Sequence, residues 1–369
     1  MIYLDNGATS FHKPPAVGRA VAEAMGRCAN PGRGGYEAAM EASRRLYDCR
    51  ETAAELFDCA PEQVVLTSNC THGLNIAIHS LVKPGSRVVV SGFEHNAVTR
   101  PLHALGAKIT VAGRKLFDWE DTLEAFDREL GRGAEAAVFT HVSNVFGYIL
   151  PVEEMAKLCR ERGVPFILDA AQSAGTLPVK LRSLGADFIA MPGHKGLLGP
   201  QGTGLLLCAG EARPLMQGGT GTASIQQEMP ADLPERLEAG TLNVPGYAGL
   251  TKGMRYLQRQ GMEAIFRREH RQLERCAAGL ERLGLRVFRG PHQAATVSFV
   301  PDMGCEEAAE MLAKQGIAVR AGFHCAPFAH ESAGTLDTGT VRVSFGHDTS
   351  DGQTDAFLRA ASKLPQKRQ

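Results

Sequence analysis

A series of short apolar runs, each separated from the next by a stretch with helical spacing, limits the folds open to this chain more than any other feature. The seven runs are Gln63–Ser68, Arg87–Ser91, Lys108–Ala112, Ala136–Thr140, Pro165–Asp169, Asp187–Met191 and Gly204–Cys208. Most are apolar along their length rather than alternating, as strands covered on both faces of a sheet must be. Val152–Arg162 shows the intervening pattern, with Val152, Met155, Ala156 and Leu158 on one helical stripe. The expected class is therefore α/β, with a mostly parallel seven-stranded sheet flanked by helices.

The texture changes after Gly246. A long helical pattern over Tyr247–Gly261 and then Met262–Leu283 is rich in Arg and Glu, and the signals that follow are strand, helix, strand: Ala295–Val300, Glu306–Gln315, Ile317–Arg320 and Val341–Ser344. Three parts are expected: residues 1–15 packing on the smaller domain, a large domain over 16–246, and a smaller α+β domain over 247–369 ending in a frayed polar tail at 363–369.

Lys plus Arg equals Asp plus Glu at 40 each, so the formal net charge is zero. That balance lacks the basic footprint of a nucleic-acid binder and directs attention to a small substrate. No apolar stretch approaches the roughly 18 residues of a membrane span, and the opening MIYLDNGATS has no basic region followed by an apolar run. Nine cysteines with no CxxC spacing point to reduced thiols in the cytoplasm.

The chemistry gathers where apolar runs end. In an open α/β sheet, ligands bind beyond the carboxyl ends of the strands. Asp169, in Leu168-Asp169-Ala170-Ala171-Gln172-Ser173, either pairs with a protonated ring nitrogen, as pyridoxal phosphate requires, or caps a helix. Lys195, in Met191-Pro192-Gly193-His194-Lys195-Gly196, is placed for a Schiff base with an aldehyde cofactor, while an isolated loop lysine is usually solvated. The interval from Asp169 to Lys195 fits one βαβ step. Asn69-Cys70-Thr71-His72 opens a helix, where free amides and the helix dipole favour a phosphate, though simple capping by Asn69 or Thr71 is the commoner use. His95, in Phe93-Glu94-His95-Asn96, is either structural or stacked on an aromatic cofactor.

In the smaller domain, Arg320-Ala321-Gly322-Phe323-His324-Cys325-Ala326-Pro327 carries a loop thiol. Arg320 and His324 could supply the positive surroundings that a nucleophilic thiolate needs. The same segment admits a metal reading through His324, Cys325 and His330, but the spacing is unlike a zinc site and no metal is expected. Arg342 lies within an apolar run, where it needs an anionic partner, and a substrate carboxylate is a bidentate one.

Taken in order, these residues resemble the class V aminotransferases of fold type I and, within them, the cysteine desulfurases. The likeness begins at Tyr3-Leu4-Asp5-Asn6-Gly7-Ala8-Thr9. It continues through His141-Val142-Ser143-Asn144, LDAAQS, GHK and Glu238-Ala239-Gly240-Thr241 to RAGFHCA. The compact segment around Cys325 is closer to the SUF-type branch. The resemblance implies pyridoxal 5'-phosphate held by Lys195, with Asp169 on the ring nitrogen, Gln172 on the ring hydroxyl and His95 stacked on the ring. It places Thr71, Cys70 and His194 at the phosphate, with Thr241 reaching in from the second subunit of a homodimer. Asn144 and Arg342, with Arg320, would bind the substrate.

The implied reaction converts L-cysteine to L-alanine and leaves a persulfide on Cys325 for a sulfur-acceptor protein. The alternative is another class V aminotransferase-like enzyme, or a lyase for selenocysteine or cysteine sulfinate. Three positions depart from the family pattern. Pro192 stands where a small polar residue is common, Cys70 where Thr is frequent, and Gly7 where Ala is usual. The first two remove hydroxyls from the phosphate end.

Overall fold

The computed structural model describes residues 1–365 apart from Arg33 and Ala223. Its largest sheet has seven strands in the spatial order Val64–Thr67, Gly204–Cys208, Phe188–Pro192, Phe166–Asp169, Ala136–Thr140, Arg87–Ser91, Lys108–Ala112. Every expected run is a strand, shifted by a residue or so at its ends. Gly204–Cys208 alone runs against its neighbours, while the pairs among the last five strands are parallel. Five of the seven strands are buried at every position, and Arg87–Ser91 is buried apart from its first residue. One apolar cluster on the sheet gathers Phe139, Phe166, Leu168 and Met191, and another gathers Val88, Val138, Ile167 and Ala190. This is the alternation of a doubly covered sheet.

The helix Val244–Gln260 begins three residues before the expected Tyr247 because Asn243 caps it, its side chain accepting from the Gly246 amide. It ends at Gly261, whose φ of 77° only glycine adopts freely, and Met262–Arg282 follows directly.

A second, antiparallel sheet has the order Arg320–Gly322, Thr340–Ser344, Thr296–Val300, Arg286–Phe288. The single run expected over Ile317–Arg320 is divided. Ile317–Ala318 pairs in parallel with Ile2–Tyr3, while Arg320–Gly322 pairs with Thr340–Ser344. The chain changes sheets at Val319, which periodicity over four residues does not reveal. Leu4 is fully buried in one cluster with Phe299, Val341 and Phe357, and Asp5 bridges to Ser344. The tail expected to fray lies outside the described residues from 366 onward, and Leu364 before it is buried.

Candidate active site

Phe166–Asp169 and Phe188–Pro192 are adjacent parallel strands, with Asp169 opposite Ala190. The turn after the first and the loop after the second are pressed together. A Cβ on Gly196 would sit 2.3 Å from the Ala174 carbonyl oxygen, so glycine beside Lys195 is what allows the approach. Asp169 is 2% exposed. Its Oδ1 accepts from the Ala171 amide at 2.9 Å and from the Cys70 thiol at 3.6 Å. Its Oδ2 accepts no hydrogen bond among the described residues. A turn rather than a helix follows, so the capping alternative does not apply. Burial raises the Asp169 pKa, against the Ala171 amide and Lys195. Burial likewise lowers the Lys195 pKa, which favours a free amine.

Asn69 caps the helix Cys70–Leu81, its Oδ1 accepting from the His72 amide at 2.8 Å. Thr71 lies inside the first turn. His95 caps the next helix, Asn96–Ala104, with Nδ1 accepting from the Ala97 amide at 3.0 Å. The proton of the neutral ring therefore sits on Nε2. Burial, helped by Lys195 and Arg342, pushes the His95 pKa down to about 4. Burial alone is the main cause of a similar fall to about 4 at His194, whose ring meets the Thr9 hydroxyl at 3.0 Å.

These side chains share one cavity. Asp169, Lys195, Gln172 and His194 line it together with Cys70, Thr71, His95 and Asn144. Pro192 lines it too, and so does Cys70, whose thiol turns to Asp169. Gln172 donates to the Gly7 carbonyl at 2.9 Å, and Asn144 Oδ1 is buried without a partner among the described residues. A second cavity shares Lys195 and Gln172 with the first and is also lined by Glu269, whose pKa burial pushes up to about 8.

Four expected residues lie outside the cavity that Asp169 and Lys195 share. Thr241 is exposed in a loop of its own chain. Arg320 is exposed and in register with Arg342 on the neighbouring strand. Arg342 is 2% exposed, and its partner is Asp5 rather than open space: Nη2 donates to Asp5 Oδ1 at 2.6 Å and Nη1 to the Asn144 carbonyl at 3.0 Å. Cys325 is exposed, and both it and His324 adopt left-handed backbone, with φ of 56° and 49°. Asn144 Nδ2 donates to the His324 carbonyl at 2.8 Å, and the Asn96 amide donates to the Cys325 carbonyl at 2.7 Å.

One expectation for this loop is corrected. His324 does not supply positive charge to the thiol, because its ring is buried against Thr340 and burial drives its pKa down to about 2, leaving it neutral. Among the described residues no group of three His, Cys, Asp or Glu side chains is placed to hold a metal ion.

The sequence reading missed the role of two residues. Glu94 is fully buried and ties two strand ends together, accepting from the Ser91 hydroxyl and from the Thr140 amide at 2.9 Å. An acid between an apolar run and Phe93 was the available signal. Asp5 sits 337 positions from Arg342, and nothing local announces the pair.

A fold type I architecture with a lysine and a carboxylate on neighbouring strand ends defines a class, and residues 2–357 match the family model for aminotransferase class V. Within that class the chain belongs to the cysteine desulfurase family. It is 33% identical over 383 residues to a probable cysteine desulfurase of Pyrococcus abyssi, covering 99% of this chain and 94% of that one. It is 33% identical to another from Methanothermobacter thermautotrophicus, covering 93% and 89%. The apo structure of the cysteine desulfurase from Thermococcus onnurineus NA1 superposes with a TM-score of 0.88 at 32% identity, over 98% of this chain and 94% of that one. No helix among the described residues is long and apolar enough to cross a membrane, and all nine cysteines are free.

Proposed function

We propose that this chain is a pyridoxal-phosphate-dependent cysteine desulfurase, a sulfurtransferase that converts L-cysteine to L-alanine and leaves a persulfide on Cys325. The observation that carries this is the shared cavity. Among the described residues Asp169 keeps one carboxylate oxygen unpartnered there, Lys195 presents an amine whose pKa burial lowers, and His95 offers a neutral ring. That donor set fits pyridoxal phosphate. Lys195 would hold its aldehyde carbon, Asp169 Oδ2 its ring nitrogen, Gln172 its hydroxyl, and the amides opening Cys70–Leu81, with Thr71 and His194, its phosphate. The bound cofactor supplies an electron sink that makes the substrate Cα–H acidic.

The remaining work falls to the protein. Arg342 and Asn144 hold the substrate carboxylate. Lys195, with its amine free, would take the Cα proton. The Cys325 thiolate attacks the substrate sulfur. A sulfur–sulfur bond forms, the Cβ–sulfur bond breaks with its electron pair going to Cβ, and protons returned to Cβ and Cα give alanine. The exposure of Cys325 lets the persulfide meet an acceptor protein. The short turn over 323–326 supports a SUF-type-like branch. Large domain, small domain and the N-terminal segment divide at 16–246, 247–369 and 1–15. The working form is a cytoplasmic homodimer in which the exposed Thr241 completes the partner's phosphate site.

Incubation with L-cysteine, followed by mass measurement of the Cys325 peptide, tests this. A gain of one sulfur together with alanine release is expected. Alanine release with an unmodified Cys325, or keto-acid formation instead, would overturn it.

A further inference from the structure

Arg50 and Arg342 are the two arginines buried among the described residues, and their partners differ in kind. Arg50 is gripped through both oxygens of Glu238, at 2.9 and 2.6 Å. Glu238 also accepts from the Leu66 amide at 2.6 Å, and its side chain is only 5% exposed. That pair is locked on both sides. Arg342 meets a single oxygen of Asp5, and its Nε is buried with no hydrogen-bond partner among the described residues. The Asp5 carboxylate accepts from no other group among the described residues, and its side chain is 18% exposed.

The two halves of this pair are unequally free. Arg342 Nη1 is tied to the Asn144 carbonyl, and its side chain is only 2% exposed. Asp5 is held by its backbone alone: its carbonyl accepts from the Tyr3 hydroxyl at 3.0 Å and the Ala8 amide at 3.0 Å, and it bridges to Ser344. Its carboxylate can turn toward solvent without moving the strand.

We propose that Asp5 is a resident stand-in for the substrate carboxylate, neutralising Arg342 between turnovers and displaced when the amino acid binds. This rests on the assignment of Arg342 as the carboxylate receptor. A buried guanidinium without an anion is strongly destabilising, so the enzyme must carry one of its own. Two carboxylates on one guanidinium leave a net negative charge in a medium of low dielectric, so the incoming one expels the resident. The incoming carboxylate gains the orphaned Nε–H, which a bidentate grip can use and Asp5 does not. The apparent affinity for substrate is lowered by the fraction of enzyme in which Asp5 occupies the seat.

The test uses the cofactor-loaded enzyme, L-cysteine as substrate and propionate as a carboxylate that lacks an amine. In Asp5→Asn, the KM for cysteine and the inhibition constant for propionate should both fall, by roughly tenfold, and by more than kcat changes. Propionate should also raise the melting temperature of Asp5→Asn more than that of the unmodified enzyme. A rise in either constant would make Asp5 a positioning residue and overturn the proposal, and so would no change in both. If the unpaired guanidinium prevents Asp5→Asn from folding, propionate should restore folding, and failure of that rescue also overturns it. Arg342→Gln separates the two levels: if neither constant rises in that variant, the carboxylate assignment itself is wrong, whatever Asp5→Asn does.

Discussion

Lys195 and Cys325 both follow a strand, yet the loops that carry them are built in opposite ways. The Lys195 loop is pressed onto the turn after Asp169 so closely that only glycine fits at 196, and its surroundings are buried strand ends tied by Glu94. The Cys325 loop exposes its thiol and buries the neighbouring His324, with both residues in left-handed backbone. Two hydrogen bonds from the large domain, through Asn144 and Asn96, hold its carbonyls. In the function proposed above, the first loop would hold the cofactor ring between fixed groups. The second would bring a thiol to the substrate and then to an acceptor, which suits a loop whose carbonyls are anchored and whose thiol is exposed.

Removing each loop's reactive atom gives the largest contrast. Lys195→Ala should lower alanine release by about 10⁴-fold or more, because it loses both the cofactor's anchor and the base. Cys325→Ser should cost less, on the order of 10²–10³-fold, and should retain the visible absorbance of the bound cofactor. Steady-state alanine release and absorbance spectra measure both. Equal losses with equal loss of colour would mean that the loops are not divided in this way.

Asn144 belongs to both regions, and its removal should fall between those extremes and the small effects. Asn144→Ala frees the His324 carbonyl and removes a buried acceptor from the cavity, so a fall in kcat/KM of about tenfold is expected, the worth of one hydrogen bond. Proteolysis or hydrogen exchange at 322–327 should increase in the same variant. A drop in activity with unchanged loop protection would assign Asn144 to the substrate alone.

The contrast also explains what could be read from sequence. Strands, strand-end residues and the cavity they line were legible because each motif is local: an apolar run, then Asp169, Lys195 or His95 within a few residues. The small domain was legible only in outline. Ile317–Arg320 divides between two sheets because its partners are Ile2–Tyr3 and Thr340–Ser344, far away in the chain. Arg342 was recognised as needing an anion, but Asp5 depends on the register of the N-terminal segment beside Thr340–Ser344. His324 looked like a source of charge by adjacency, and burial beneath the loop reverses that.

The smallest effect compares two thiols. Cys70 and Cys325 are chemically alike, but Cys70 is buried, and burial, reinforced by Asp169, holds its pKa well above the ordinary range. It stays a thiol and donates to Asp169 Oδ1, which favours the ionised carboxylate. Losing that donor raises the Asp169 pKa further. Since the ionised carboxylate is the active form, the acid limb of kcat/KM in Cys70→Ala should move to higher pH. A long S–H hydrogen bond of about 0.3–0.7 kcal/mol moves it by roughly 0.2–0.5 unit. A shift to lower pH, or none, would leave the Ala171 amide and Lys195 as the groups that set this carboxylate. Iodoacetamide should label Cys325 and leave Cys70 unmodified, since the reagent needs an exposed thiolate. Preferential labelling of Cys70 would invert the comparison between the two regions, because the thiol facing the ring would then be the reactive one.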